Sequence, residues 1–172
     1  MINLRRVLMS SALVLGAAGA ARAAALRAAV VTGTVEVRGA GGVQRILSGP
    51  TPPPLRAGDR VSVVSGRAEF ASPRASVVAE EGAEFQLGEA KGGPVIQVIR
   101  GSARVAAGGR TVQLPAGAAV AVSRGGALTV VAGVGAAVDP DGTSTPVPAG
   151  EAVKAPQPAP RVFKSILLPQ PG

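Results

Sequence analysis

Gly66-Arg67-Ala68-Glu69-Phe70, GRAEF, sets a glycine ahead of alternating apolar and polar residues, and the same form returns along the chain. GTVEV (Gly33–Val37), GSARV (Gly101–Val105) and GALTV (Gly126–Val130) each read glycine, one residue, an apolar residue, a polar residue, an apolar residue. Alternation of period two puts the two apolar side chains on one face of a strand and the residue between them on the other. That middle residue is Glu36, Glu69, Arg104 or Thr129, so it faces water and answers to no shared chemistry. Glycine at the head of each copy suits a tight turn or a bulge where a Cβ would clash.

The alternation continues elsewhere. Phe85 and Leu87 flank Gln86, Val112 and Leu114 flank Gln113, and Val120 and Val122 flank Ala121. No stretch after residue 24 carries three turns of helical periodicity with caps. The expected fold is all-β, with roughly ten short strands. Repeated strand–turn units point to a stacked, partly solenoid-like or sandwich-like sheet and away from a closed enzyme barrel.

A second repeat punctuates the first. LRAGDRV (Leu55–Val61), LPAGAAV (Leu114–Val120) and VPAGEAV (Val147–Val153) share an apolar-x-Ala-Gly-x-x-Val frame. Leu55, Gly58, Asp59, Leu114, Gly117, Val147 and Gly150 therefore read as structural turns, with glycine at a positive φ and apolar ends anchored in the core. The place of Asp59 is taken by Ala118 in the second copy and by Glu151 in the third. A catalytic carboxylate does not explain three copies with one empty, so Asp59 reads as a side-chain cap of its turn.

Composition narrows the chemistry. Apolar residues make up 47%, but the aromatics are only Phe70, Phe85 and Phe163, and Cys, His, Trp and Tyr are absent. There is thus no thiolate nucleophile, no imidazole base and no soft-metal site. No catalytic, cofactor-binding or metal-binding residue is assigned, and a non-enzyme is expected. Glu80, Glu81 and Glu84 in EEGAE could hydrolyse a glycoside only as a pair facing each other across a cleft. Side by side in a turn they read as solvated, and a hydrolase stands as the second alternative. Asp139-Pro140-Asp141-Gly142 opens like a calcium loop, but its glycine comes too early and the twelfth position is Gly150. It reads as a turn. Gly133-Val134-Gly135 begins like a dinucleotide fingerprint but meets Val138 where the third glycine belongs, with no helix after it.

The two ends differ from the middle. Residues 1–23 read as a signal peptide: Arg5 and Arg6, an apolar run Val7–Leu15, then small residues ending at Ala23. The run falls short of the ~20 residues a membrane span needs. Export through the general secretory route is expected, with the twin-arginine route as the other option, so the mature chain belongs in the periplasm or outside the cell. Residues 24–154 form the β-domain. Residues 155–172 are a proline-rich linker and an apolar tail, and Pro146, Pro148, Pro156, Pro158 and Pro160 favour extended or polyproline chain. Val162, Phe163, Ile166, Leu167 and Leu168 make a small apolar island, either a terminal strand of the same domain or a peptide that docks on a partner. Without Arg5, Arg6 and Arg22 the 18 basic residues become 15, against 10 acidic, a net charge of +5. Scattered arginines and the lack of stacking aromatics argue against nucleic acid. Weak contact with anionic polysaccharide or lipid is the first alternative to a protein partner.

The residues also carry a resemblance. Gly33–Val37 is followed by Leu55-Arg56-Ala57-Gly58-Asp59, by Val63–Phe70 (VVSGRAEF), and by Phe85-Gln86-Leu87. Then come Val98-Ile99-Arg100-Gly101 before the strand ending at Val105, Val112-Gln113-Leu114-Pro115, and Ala149-Gly150-Glu151. Over about Val31 to Lys154 this resembles the periplasmic domain of the FecR family. The resemblance implies an all-β, partly solenoid-like sheet without catalytic residues, one that passes a signal between envelope partners in the regulator members. Ser72-Pro73-Arg74-Ala75-Ser76 departs from the family's usual Asp-Gly-Ser/Thr turn, and no cytoplasmic domain is expected ahead of the β-domain. An exported, stand-alone FecR-like domain is the expectation, with sigma-factor regulation not carried over.

Overall fold

The structure is a computed structural model that describes residues 26–39, 41–42, 44–47 and 54–156. Residues 1–23, expected to be a signal peptide, and the apolar tail from Val162 to Leu168 lie outside the described residues. Twelve strands and no helix occur among the described residues: β1 (Arg27–Arg38), β2 (Gln44–Leu47), β3 (Arg60–Ala71), β4 (Ala75–Glu80), β5 (Glu84–Ala90), β6 (Gly93–Arg100), β7 (Ser102–Ala107), β8 (Arg110–Pro115), β9 (Ala119–Val122), β10 (Leu128–Ala132), β11 (Val134–Val138) and β12 (Ser144–Pro148). All pair antiparallel in one sheet, which is nearly closed and barrel-like.

The pairing shows why. β3 pairs β5 along residues 60–62 and β4 along residues 67–71, so β4 and β5 act as one bent strand lying beside a bent β3. In the same way β6 and β7 pair β5 and β4, β9 and β8 pair β6 and β7, and β10 and β11 pair β9 and β8. The sheet is an up-and-down meander of bent strands, folded along a line of corners so that its two halves face each other. Gly66, Gly101 and Gly133 stand at three of these corners, at φ of 77, 69 and 67. They recur about every 33 residues, the period of a repeat architecture. The register after each corner is also the same: Arg67 faces Glu80, Ser102 faces Pro115 and Val134 faces Pro148.

The head glycines of the repeat take two kinds of place. GTVEV, GRAEF and GSARV place their glycines at strand bends, and Gly126 of GALTV lies in the tight turn that leads into β10. The third corner after Gly66 and Gly101 belongs to Gly133-Val134-Gly135-Ala136-Ala137, the stretch that imitated a dinucleotide motif. Its second glycine is needed as well, because a Cβ on Gly135 would lie 2.9 Å from Val112 Cγ2.

Closure is the feature that the repeat does not convey. Val130 N–H donates to Glu151 O (3.0 Å), Gly150 N–H to Val130 O (2.8 Å) and Val153 N–H to Leu128 O (2.8 Å), joining β10 to the chain that follows β12. Away from the corner line, the Gly108 and Gly126 backbones meet so closely that a Cβ on Gly108 would sit 2.6 Å from Gly126 O. The space enclosed is filled by one core of mostly Val, Ala and Leu, with Phe70 and Phe85 meeting edge to face, ring centroids 5.6 Å apart. Such a pair adds about 1 kcal/mol beyond the apolar area it buries. Pro146 and Pro148 lie inside β12, so the proline-rich composition begins before the sheet ends.

Candidate functional site

Each expected turn has a defined job. In Arg56-Ala57-Gly58-Asp59 and Pro115-Ala116-Gly117-Ala118 the fourth N–H donates to the first carbonyl, and Pro148-Ala149-Gly150-Glu151 does the same. Glycine holds the third place at φ of 89, 86 and 91, the type II pattern. The glycine N–H and the carbonyl of the next residue then clasp one residue of the neighbouring strand: Leu87 for Gly58, Val98 for Gly117, Val130 for Gly150. The acidic stretch Glu80-Glu81-Gly82-Ala83 is a fourth copy, clasping Val63 with Gly82 at φ 80. In all four, the apolar residues three before and three after glycine are buried: Leu55 and Val61, Ala79 and Phe85, Leu114 and Val120, Val147 and Val153.

The carboxylates are engaged locally. Asp59 is the buried polar residue of the described chain, 3% exposed, and its Oδ2 accepts from Arg56 N–H (2.9 Å) and Arg45 Nη2 (2.6 Å). The first bond is the expected cap. Arg45 comes as an addition, because it points inward from β2 opposite Val37. Glu84 accepts from Arg60 Nε, Glu80 lies 3.7 Å from Arg67, and Glu81 accepts from Gly66 N–H (3.3 Å). The three glutamates are thus spread over separate partners, with no pair opposed across a cleft. Asp139 and Asp141 shape the β11–β12 hairpin: Gly142 N–H donates to Asp139 O (2.9 Å) and Thr143 N–H to Asp141 Oδ1 (2.9 Å). That backbone hydrogen bond from Thr143 holds the Asp141 carboxyl below its ordinary pKa. Among the described residues no group of three or more acidic side chains converges as a metal site, and no helix is long and apolar enough to cross a membrane.

What the structure assembles is a ridge along the corners. Thr34 pairs Ser65 while Val35 pairs Val63, so Val64 is an extra, bulged residue. Ile99 is bulged in the same way between Val98 and Arg100, and Val131 between Val130 and Ala132. Each precedes its corner glycine by two residues, and each sits on the outside of the fold. Val64 is 50% exposed and Val131 46%, with Val134 beyond the last corner at 53% and Ile99 half-buried. Val64, Ile99 and Val131 lie on alternate bent strands, so the steps between them are about 10 Å. Towards the C-terminal end the ridge is bordered by exposed Pro115, Ala116, Pro148 and Ala149, with little charge until Glu151.

Sequence reasoning passed over this ridge. Its signal is VVSG, VIRG and VVAG at 63–66, 98–101 and 130–133, where an additional β-branched residue breaks the period of two just before glycine. No family model, curated protein or solved structure matches the chain.

Proposed function

We propose that the chain is an exported, non-enzymatic β-domain resembling the FecR periplasmic domain, and that it binds a protein of the cell envelope through the corner ridge in a structural or signalling role. The observation that supports this reading is the set of bulged apolar residues held outward at one repeat position. A bulge costs ladder pairing, and β-branched residues gain nothing from water, so retaining both at three corners suits a contact surface. The low charge around Val131 and Val134 fits a partner surface that is itself apolar. The motif likeness and the N-terminal export pattern support the envelope as the place.

The test is a photo-crosslinking residue placed at Val131 or Val134 in the producing cell, with Ser76 in β4 and Thr111 in β8, away from the corner glycines, as controls. Adducts to one envelope protein from the ridge alone are expected, and Val131→Asp with Val134→Asp should abolish them without lowering the melting temperature. Equal adducts from the control positions, or none from the ridge, overturn the reading. So does a chain retained in the cytoplasm with residues 1–23 intact.

A further inference from the structure

The outer face of the half that holds β2, β5, β6, β9 and β10 carries a second surface, independent of the ridge. Register alone lines it up. Gln44 pairs Arg38, Arg38 pairs Arg60, Arg60 pairs Gln86, and Gln86 pairs Gln97, on five successive strands β2, β1, β3, β5 and β6. Paired residues of an antiparallel sheet project on the same side, so the five make one continuous row, and all five are exposed. Every member is long and ends in a flat amide or guanidinium, which is unlike the next row across this face: Gly88, Val95, Ala121 and Thr129.

The row is short of partners. Among the described residues, Gln44, Arg38, Gln86 and Gln97 make no side-chain hydrogen bond, while Arg60 uses its Nε on Glu84 and leaves its outer nitrogens open. Arg38 and Arg60 stand directly opposite each other; Glu84 partly offsets Arg60, while Arg38 makes no ion pair among the described residues. A hollow of about 80 Å³ opens there, lined by Glu36, Arg38, Gln44, Arg60, Ser62 and Glu84. It has room for a carboxylate between the guanidiniums, with the Glu36 and Ser62 oxygens beside it able to accept from hydroxyls.

We infer that this row is a binding site for a linear acidic glycan, with a uronate carboxylate held between Arg38 and Arg60 and the sugar hydroxyls read by Gln44, Gln86 and Gln97. The geometry suits an extended chain. Strands recur about every 4.8 Å, close to the advance of one pyranose along a 1,4-linked glycan, so successive sugars meet successive side chains. Two arginines among amides are too few for a polyphosphate backbone, and the aromatic side chains among the described residues, Phe70 and Phe85, are buried and offer a base no stacking surface. The amides favour hydroxyl-rich ligands, and the arginine pair supplies the preference for acid.

The experiment uses the purified chain without residues 1–23 and four probes: a hexagalacturonate, its methyl-esterified neutral form, a digalacturonate and inorganic phosphate. Calorimetry should show the acidic hexamer binding at least tenfold more tightly than the neutral hexamer and the dimer, without displacement by phosphate. Gln86→Ala with Gln97→Ala, exposed positions with no internal bonds, should weaken the hexamer by tenfold or more at an unchanged melting temperature. Arg38→Ala should abolish the preference for acid. Arg67→Ala with Arg104→Ala, on the other half, should change nothing. Equal affinity for dimer and hexamer, displacement by phosphate, no binding of the acidic hexamer at millimolar concentration, or equal losses from the control pair would each overturn the inference.

Discussion

Asp59 shows how one side chain can look catalytic and be architectural. It is buried, acidic and paired with arginine, as an active-site carboxylate often is. Yet both hydrogen bonds of its Oδ2 are spent on holding the chain: Arg56 N–H closes the turn, and Arg45 ties the short edge strand β2 to the body. Asp59→Ala removes an acceptor and leaves Arg45 partly buried without its anion, a loss of about 2–3 kcal/mol. Asp59→Asn keeps an acceptor for the turn and should lose about half as much. Urea denaturation of the two variants and of Arg45→Ala checks this, and a mutant cycle should show Asp59 and Arg45 coupled. The turn was legible in the sequence because LRAGDRV repeats. The arginine partner was not, because a pairing across 14 residues depends on which face of β2 turns inward.

At the scale of the element, the corner is the unit of construction. A bent strand survives only if its inner backbone can approach its neighbour, and glycine allows this in two distinct ways. At Gly133 a Cβ would lie 2.9 Å from Ala118 Cα, and at Gly101 it would lie 2.9 Å from Ala83 Cα, so both close approach and positive φ exclude a side chain. At Gly117 nothing lies within 4 Å, and only the φ of 86 objects. Gly117→Ala should therefore cost about 1 kcal/mol, and Gly133→Ala distinctly more, about 3 kcal/mol. Thermal or urea melts that rank the two the other way would refute the distinction. The sequence pattern marked glycine at strand starts, which holds for Gly126 ahead of β10, but it did not single out Gly133 as a corner. Both precede alternating apolar residues, and only the packing of one bent strand on the next tells them apart.

For the whole molecule, the exposed ends of the stack decide whether it stays single. β12 pairs β11 on one side, and Asp139 N–H donating to Thr143 O sets the phase of that ladder. In that phase the outward backbone positions are Ser144, Pro146 and Pro148, two of which have no N–H to offer. An edge with so few donors resists another strand, as natural sheets require of exposed edges. Replacing Pro146 and Pro148 with Thr restores the donors and should produce concentration-dependent association, measurable by sedimentation, with the secondary structure unchanged. The sequence by itself determined that this chain is all-β, that its turns repeat and that its acidic motifs are turn chemistry, because alternation and glycine act over a few neighbouring residues. Only the tertiary structure decided that the sheet folds along a line of corners and nearly closes. It alone set Val64, Ile99 and Val131 on one ridge and lined up the five polar side chains from Gln44 to Gln97. Those arrangements follow from strand register, which is settled by how the whole core packs and by no local stretch of the chain.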